Sequence, residues 1–246
     1  MEADITREEL VFDIKLAEQA ERYDEMWQRV KALAKMDGEF QEHLLFTLAL
    51  GNRSRRHRVE YRTISAVEIK LGAKAQDHQW ELTRMYLKNL LDEHEKFLLD
   101  IINVINNDII PKIIDIGNLV TFYKIKANRW NEIYWMKQGE ERIHALNQAK
   151  ISHETGYQYS KQLDALNSSK LGFIVQYTTF LYETLNEPLR AVSIAGEAFN
   201  AAVAIYSHMD EAEPIEPVLS VMRDNLTLWT DAESFDPKTG HKRNEP

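Results

Sequence analysis

Hydrophobic residues recur along most of this chain at the three- and four-residue spacing that places them on one face of an α-helix. Leu10, Ile14 and Ala17 begin the pattern, and a broad apolar stripe from Trp80 to Ile105 continues it. No segment alternates polar and apolar residues for long enough to predict a strand. The pattern predicts nine helices, over 6–20, 23–36, 40–71, 77–109, 118–137, 140–164, 168–186, 188–208 and 214–231.

Glycine and proline fall mainly where these helices should begin or end. Gly72 and Pro111 follow long helical patterns, and Pro188 stands where a first helical turn tolerates it. Nine glycines and six prolines in 246 residues are about half the usual share, which favours long helices joined by short loops. We therefore predict one all-α domain of antiparallel helices over 1–231, and a disordered tail over 232–246.

Composition narrows the functional classes. A net charge of −9 argues against a general nucleic-acid binder, and the lack of cysteine excludes disulfides and thiol chemistry. The first ten residues are unlike a signal peptide, and the apolar run 97–110 is too polar for a membrane span. We expect a cytoplasmic protein that binds neither nucleic acid nor membrane.

Catalytic signatures are missing from the sequence. The histidines show no H-E-x-x-H spacing, and there is no glycine-rich phosphate loop and no nucleophile elbow. We therefore expect no enzyme activity, no catalytic residue, no cofactor and no metal.

The last predicted helix carries the most informative string, RDNLTLWT at 223–230. Asn225, Leu228 and Trp229 share one helical face, because they stand at i, i+3 and i+4. An amide beside apolar area is what a peptide-binding surface needs. The alternative is an amphipathic helix with a buried tryptophan, and spacing alone favours that alternative.

The same string resembles the last helix of the 14-3-3 family. A second match is KLAEQAERYDEM at 15–26, and weaker matches follow in family order at 62–68, 170–173, 180–188 and 191–204. The resemblance covers roughly residues 4–231. It implies a nine-helix fold with a concave groove, a cup-shaped dimer, and an adaptor that binds phosphoserine or phosphothreonine segments of partner proteins.

The phosphate-binding residues carry over in part. Arg58 and Arg62 match an arginine pair of the family and stand at i, i+4 on one face, so both guanidinium groups can reach one phosphate. Gly51 replaces a lysine, and Arg55 is the candidate that restores its charge. The alternative is that this basic run is a solvated face.

The fifth helix departs furthest from the family. Asn131 and Glu132 align with an Arg-Tyr pair that holds phosphate in relatives. Arg129 stands two positions from Asn131, roughly 200° around the helix, so we expect that it cannot substitute. A glutamate at this place should repel a dianion.

The peptide-holding residues are better preserved. Lys124, Glu183, Asn225, Leu228 and Trp229 match the family. Gln176 replaces an asparagine, and it is one methylene longer. Val218 and Val221 are conservative replacements in the apolar wall.

In the family the first helix packs on the third and fourth helices of a second subunit. Matching contact residues are Leu16, Ala20, Tyr23 and Tyr86, together with Arg22 and Glu93, which would pair between subunits. Glu60 aligns with a serine whose phosphorylation opposes dimerisation in relatives, and it is either a charge that loosens the dimer or a harmless solvated group.

The resemblance predicts a phosphorylation-dependent adaptor with a partly altered phosphate pocket, as a homodimer or paired with a paralogue. The alternative is a helical scaffold that binds without phosphate, or a dimerisation partner for a typical 14-3-3 protein.

Overall fold

A computed structural model describes residues 5–72, 78–207, 215–236 and 241–242. Nine α-helices lie in these ranges, which confirms the all-α prediction. Their bounds are α1 Arg7–Gln19, α2 Tyr23–Lys35, α3 His43–Leu71, α4 His78–Val104, α5 Ile116–Met136, α6 Gly139–Ser160, α7 Ser168–Thr179, α8 Pro188–Tyr206 and α9 Glu216–Ser234.

Two helices end in a wider turn that the apolar spacing does not show. After α4 the chain forms a π-helical turn, Ile105–Ile109, and a 3-10 turn, Ile110–Lys112. Pro111 supplies the reason, because it has no N–H to donate and its ring crowds the preceding turn. A second π-helical turn, Phe180–Thr184, follows α7 and carries Glu183.

The C-terminal segment differs from the predicted disordered tail. Helix α9 continues to Ser234, and Phe235–Asp236 pairs antiparallel with His241–Lys242. Two residues are too few to show an alternating pattern, so the sequence did not predict this pairing. Residues 237–240 and 243–246 of the tail lie outside the described residues.

The chain divides into two compact units. The first comprises Met1–Ile114 and Asn128–Asn147, and the second comprises Asp115–Ala127 and Gln148–Pro246. Two of the breaks fall inside α5 and α6, where no linker composition marks them, and this is why the sequence pattern shows a single domain. No helix in the described part of the chain is long and apolar enough to cross a bilayer.

The core of the first unit is centred on Trp27 of α2. Its ring packs edge-on against Phe46 and Phe97, with both centroid distances at 5.5 Å. Its Nε1–H donates to Asp100 at 2.7 Å, and Lys31 donates to the same carboxylate at 2.8 Å. The indole is therefore buried without losing its hydrogen bond.

The core of the second unit contains a neutral histidine among aromatic rings. His153 of α6 is 1% exposed, and its ring lies 4.4 Å from Phe180 and 5.4 Å from Tyr177. Burial lowers the pKa of His153 to about 3, so the ring is uncharged at neutral pH. His153 is therefore a packing residue.

We expect Gly156→Ala to destabilise the fold by about 1–3 kcal/mol, because it overpacks this core. A Cβ on Gly156 would lie 2.5 Å from the buried ring of Phe173 and 3.0 Å from Cβ of Tyr123. Urea denaturation followed by circular dichroism measures the effect. The matched control is Gly196→Ala in α8, where a Cβ meets nothing within 4 Å, and there we expect a gain of about 1 kcal/mol. An unchanged urea midpoint for Gly156→Ala would contradict the packing account.

Candidate functional site

The basic run of α3 is divided between two faces of the helix. Arg53 forms an ion pair with Asp24 at 2.6 Å, and Arg56 donates a hydrogen bond to Glu60 at 2.9 Å. These two arginines stand at i and i+3, so they lie on one side of α3. Their charges are compensated within the first unit, and Glu60 is not the bare negative charge that its alignment with a phosphorylated serine suggested.

The other face carries the arginines predicted to bind phosphate. Arg55, Arg58 and Arg62 are exposed and follow one another at i, i+3 and i+7. Among the described residues, no carboxylate lies within 4 Å of any of their side-chain nitrogens. We call these three residues the arginine stripe.

Gly51 stands one turn before Arg55, where the family has a lysine. The residue is exposed, and a Cβ built on it meets nothing within 4 Å. A side chain at this position would therefore leave the helix without a contact at its Cβ.

Glu132 of α5 is held on both carboxylate oxygens. Its Oε1 accepts a hydrogen bond from His94 Nε2 at 2.7 Å, and its Oε2 lies 2.9 Å from Arg129 NH1. Burial alone would raise the pKa of Glu132. The hydrogen bond from His94 and the positive charges of Arg129 and Arg58 overcome this and hold the pKa below its usual range. Glu132 is therefore an ionised group on which one arginine of the stripe, Arg58, also acts electrostatically.

Two histidines support Glu132, and the sequence analysis missed both. His94 is buried, and its ring stacks parallel on His57 with centroids 3.9 Å apart. Burial, and then the charges of His94 and Arg53, lower the pKa of His57 to about 4. An ionised carboxylate only accepts hydrogen bonds, so His94 donates to it through Nε2–H, and Nδ1 of the same ring is buried with no hydrogen-bond partner among the described residues. Little in the sequence indicated the contact between His94 and Glu132, because the two residues are 38 positions apart.

Arg129 is placed differently from the sequence expectation. It is indeed remote from Asn131 around the helix, but Glu132 lies one turn ahead of it on the same face. Its Nη1 lies 2.9 Å from the Glu132 carboxylate, and its Nε is buried and has no hydrogen-bond partner among the residues that the structure describes. Arg129 therefore brings a guanidinium group to the carboxylate on which the charge of Arg58 also acts. We call Arg129, Glu132, His94 and His57 the Glu132 cluster.

The predicted peptide-holding residues all belong to the second unit. Lys124 of α5 is half-buried, and its Nζ would lie 3.5 Å from a Cβ on Gly172 of α7. Burial lowers its pKa, and no carboxylate of the described chain lies within 4 Å of its ammonium group. Gly172 thus leaves room for a cation that forms no ion pair with a carboxylate of the described residues.

Helix α9 exposes apolar area where the peptide wall was predicted. Leu228 is 65% exposed, Val221 is 45% exposed, and Val218 and Asn225 are half-buried. Gln176 and Glu183 were predicted to make polar contacts with a bound peptide, and both side chains are exposed. Leu228 and Val221 therefore present apolar surface to solvent in the second unit.

Trp229 has a different role from the platform suggested by its spacing. It is 3% exposed and stacks on Tyr182, with centroids 4.9 Å apart and an interplanar angle of 15°. Trp229 is therefore the buried tryptophan of an amphipathic helix, which was the alternative interpretation of its spacing. Leu228 provides the exposed apolar surface.

The predicted dimer residues lie in the first unit. Leu16 and Tyr86 are 46% and 55% exposed, Ala20 and Glu93 are exposed, and Tyr23 is half-buried. Arg22 pairs with Glu25 within the chain. Exposed apolar residues that the sequence analysis did not single out extend the same helices: Phe12 on α1, and Leu82 and Met85 on α4.

Among the described residues no group of three or more histidine, cysteine, aspartate or glutamate side chains is placed to hold a metal ion.

Comparison of the amino-acid sequence with known proteins shows which family the chain belongs to. The 14-3-3 protein family model matches residues 13–230. The chain is 33% identical over 229 residues to 14-3-3 protein 7 of Solanum lycopersicum, which covers 91% of both chains. It is 32% identical over 242 residues to 14-3-3 protein epsilon of Drosophila melanogaster, covering 95% of this chain and 92% of the relative. It is 31% identical over 234 residues to the checkpoint signal transducer rad24 of Schizosaccharomyces pombe, covering 93% and 87%. The chain therefore belongs to the 14-3-3 family.

Proposed function

We propose that this protein is a phosphoserine- or phosphothreonine-dependent adaptor whose phosphate pocket is partly altered. Membership of the 14-3-3 family supports a general adaptor role in phosphorylation-dependent signalling. The observation that carries the specific proposal is the arginine stripe. Arg55, Arg58 and Arg62 are exposed and have no carboxylate within 4 Å in the described part of the chain, whereas Arg53 and Arg56 of the same run are paired.

The chemistry of the arginine stripe suits a phosphate monoester. A guanidinium group is planar and always charged, and it grips two phosphate oxygens at once. Arg58 and Arg62 stand at i and i+4, so two such groups reach one anion. In the second unit, Lys124 and Asn225 supply polar groups for a peptide backbone, and Leu228 supplies apolar area for its side chains.

The altered positions are expected to weaken this binding. Gly51 and Asn131 remove two cations that relatives place at the phosphate, and Glu132 adds a negative charge. The loss of one charged hydrogen bond costs about 1.5–3 kcal/mol, so two losses lower the affinity by a few powers of ten. Arg55 is the residue of the stripe that can offset part of this loss.

We expect Arg58→Ala/Arg62→Ala to reduce the affinity for phosphoserine peptides at least about tenfold, because two charge-assisted contacts disappear. Fluorescence polarisation against matched phosphorylated and unphosphorylated peptide libraries measures the effect. Arg56→Ala is the matched control, since it removes a paired arginine from the same run and should leave the affinity unchanged.

Gly51→Lys tests the same site in the opposite direction. It restores a cation in free space and should raise the affinity for the phosphorylated library alone. Equal binding of both libraries by the wild-type chain would refute phosphate dependence. The phosphate-independent scaffold would then be the better account, with the exposed residues of α9 as its binding surface.

We further propose that the chain dimerises through α1, α3 and α4 of the first unit. Phe12 and Leu16 stand at i, i+4 on α1, and Leu82, Met85 and Tyr86 form one face of α4. Apolar residues exposed at helical spacing on two helices indicate a surface that a second subunit covers. The partner is a second copy of this chain or a paralogue.

Leu16→Asp/Tyr86→Asp should convert the dimer to single chains of 28.7 kDa, because it places charges in an apolar interface. Sedimentation equilibrium at micromolar concentration measures the mass. Ile114→Asp is the control, since it makes the same change at an exposed apolar residue outside both faces. A wild-type chain that sediments as a monomer, or a control that dissociates equally, would argue against this interface.

A further inference from the structure

The carboxylate of Glu132 lies where positive charge gathers in the first unit. Arg129 NH1 is 2.9 Å from its Oε2, and the charge of Arg58 helps to keep it ionised. Gly51 and Asn131 are neutral at the two positions where relatives carry further cations. Arg129 and Arg58 act on this carboxylate, and the same two cations would be needed to bind a phosphate at this place.

The position of Glu132 is fixed from its other side. His94 is buried, donates to Oε1 at 2.7 Å, and is stacked on His57. A side chain held at both oxygens does not move freely away from Arg129. The carboxylate therefore stays paired with the guanidinium group of Arg129 whenever no stronger anion is present.

Arg129 is only partly used by this contact. Glu132 is the one carboxylate of the described chain within 4 Å of it, and Nε of Arg129 has no hydrogen-bond partner. A guanidinium group has five N–H donors, so Arg129 retains unused donors while it is paired with Glu132. A phosphate offers three oxygens and up to two negative charges, and so it is the stronger acceptor for the same group.

We propose that Glu132 is an internal competitor for the phosphate, and that a phosphorylated segment binds by displacing it from Arg129. Arg129 then acts as the third cation of the site, beside Arg58 and Arg62, in place of the missing arginine at Asn131. Glu132 stays with His94 and Arg129 turns to the ligand. The inference rests on the proposed phosphopeptide function, which it extends by naming the residue that sets the affinity and the residue that completes the site.

One consequence concerns the kind of anion that is accepted. A carboxylate on a partner would replace Glu132 with a group of the same charge and gain little. A phosphate brings more charge and more acceptor oxygens than the group it displaces. The site should therefore reject peptides in which glutamate replaces the phosphoserine, and Glu132 is the residue responsible for that discrimination.

The test is fluorescence polarisation with three labelled versions of one peptide, carrying phosphoserine, serine or glutamate at the central position. Glu132→Gln keeps the shape of the side chain and removes its charge. We expect it to raise the affinity for the phosphoserine version about tenfold, the value of one charge-assisted contact, and to leave the serine version unchanged. The glutamate version should gain measurable binding.

A double-mutant cycle identifies Arg129 as the group that is released. Arg129→Ala should cost little in the wild-type chain, where Glu132 holds the guanidinium, and about tenfold or more in the Glu132→Gln chain, where it is free. The control is Glu140→Gln, an exposed glutamate in the first turn of α6 within the same unit, which makes the same change in net charge. It should leave all three affinities as they are.

The outcomes separate this inference from the function on which it rests. If the wild-type chain prefers the phosphoserine version and loses that preference in Arg58→Ala/Arg62→Ala, while Glu132→Gln changes nothing, the adaptor function stands and the competitor is wrong. Equal gains from Glu140→Gln and Glu132→Gln would overturn the inference, because net charge alone would explain them. If no chain distinguishes the three versions, both proposals fail. Glu132→Tyr, which restores the residue type of relatives, is the second variant should Glu132→Gln not fold, and it should raise the affinity in the same way.

Discussion

Charge pairing along α3 is the constraint from which the functional interpretation follows. This helix of 29 residues carries a run of arginines, of which only some are paired with carboxylates of the described residues. Asp24 and Glu60 pair with Arg53 and Arg56, and His57 turns inward to stack on His94. Arg55, Arg58 and Arg62 are left on the remaining face. The same residue run thus supplies structural ion pairs, a core contact and a basic surface.

The Glu132 cluster shows how the same constraint acts on α5. A partly buried carboxylate is costly unless hydrogen bonds and opposite charges compensate it. His94 and Arg129 provide this compensation directly, and Arg58 adds to it. As a result, the guanidinium group of Arg129 is already paired with a carboxylate of the chain. In this chain the carboxylate of Glu132 therefore engages a guanidinium group from within the first unit.

Much of the fold could be predicted, because helical periodicity is a local property. The spacing of Leu10, Ile14 and Ala17 was enough to place α1, and Pro188 does begin α8. The π-helical turns after α4 and α7 have no comparable signature. The resemblance to the family, together with helical spacing, pointed to the arginine stripe, whereas spacing alone would have favoured a solvated face. Helical spacing could not identify the partner of Glu132. It shows on which face of a helix a residue lies, but not which residue of another helix packs against that face. His94 is far from Glu132 in sequence, and Arg129 was judged only against Asn131. Trp229 illustrates the converse, since the same i, i+4 spacing suits a ligand platform and a core residue, and only its contact with Tyr182 decides between them.

A crystal structure of the chain bound to a phosphoserine peptide would show whether the phosphate displaces Glu132 from Arg129. We expect phosphate oxygens within hydrogen-bonding distance of Arg58, Arg62 and Arg129, with Glu132 still hydrogen-bonded to His94 and no longer within 4 Å of Arg129. A phosphate bound away from these arginines, or one bound on the arginine stripe beside an unbroken Arg129–Glu132 pair, would contradict this expectation.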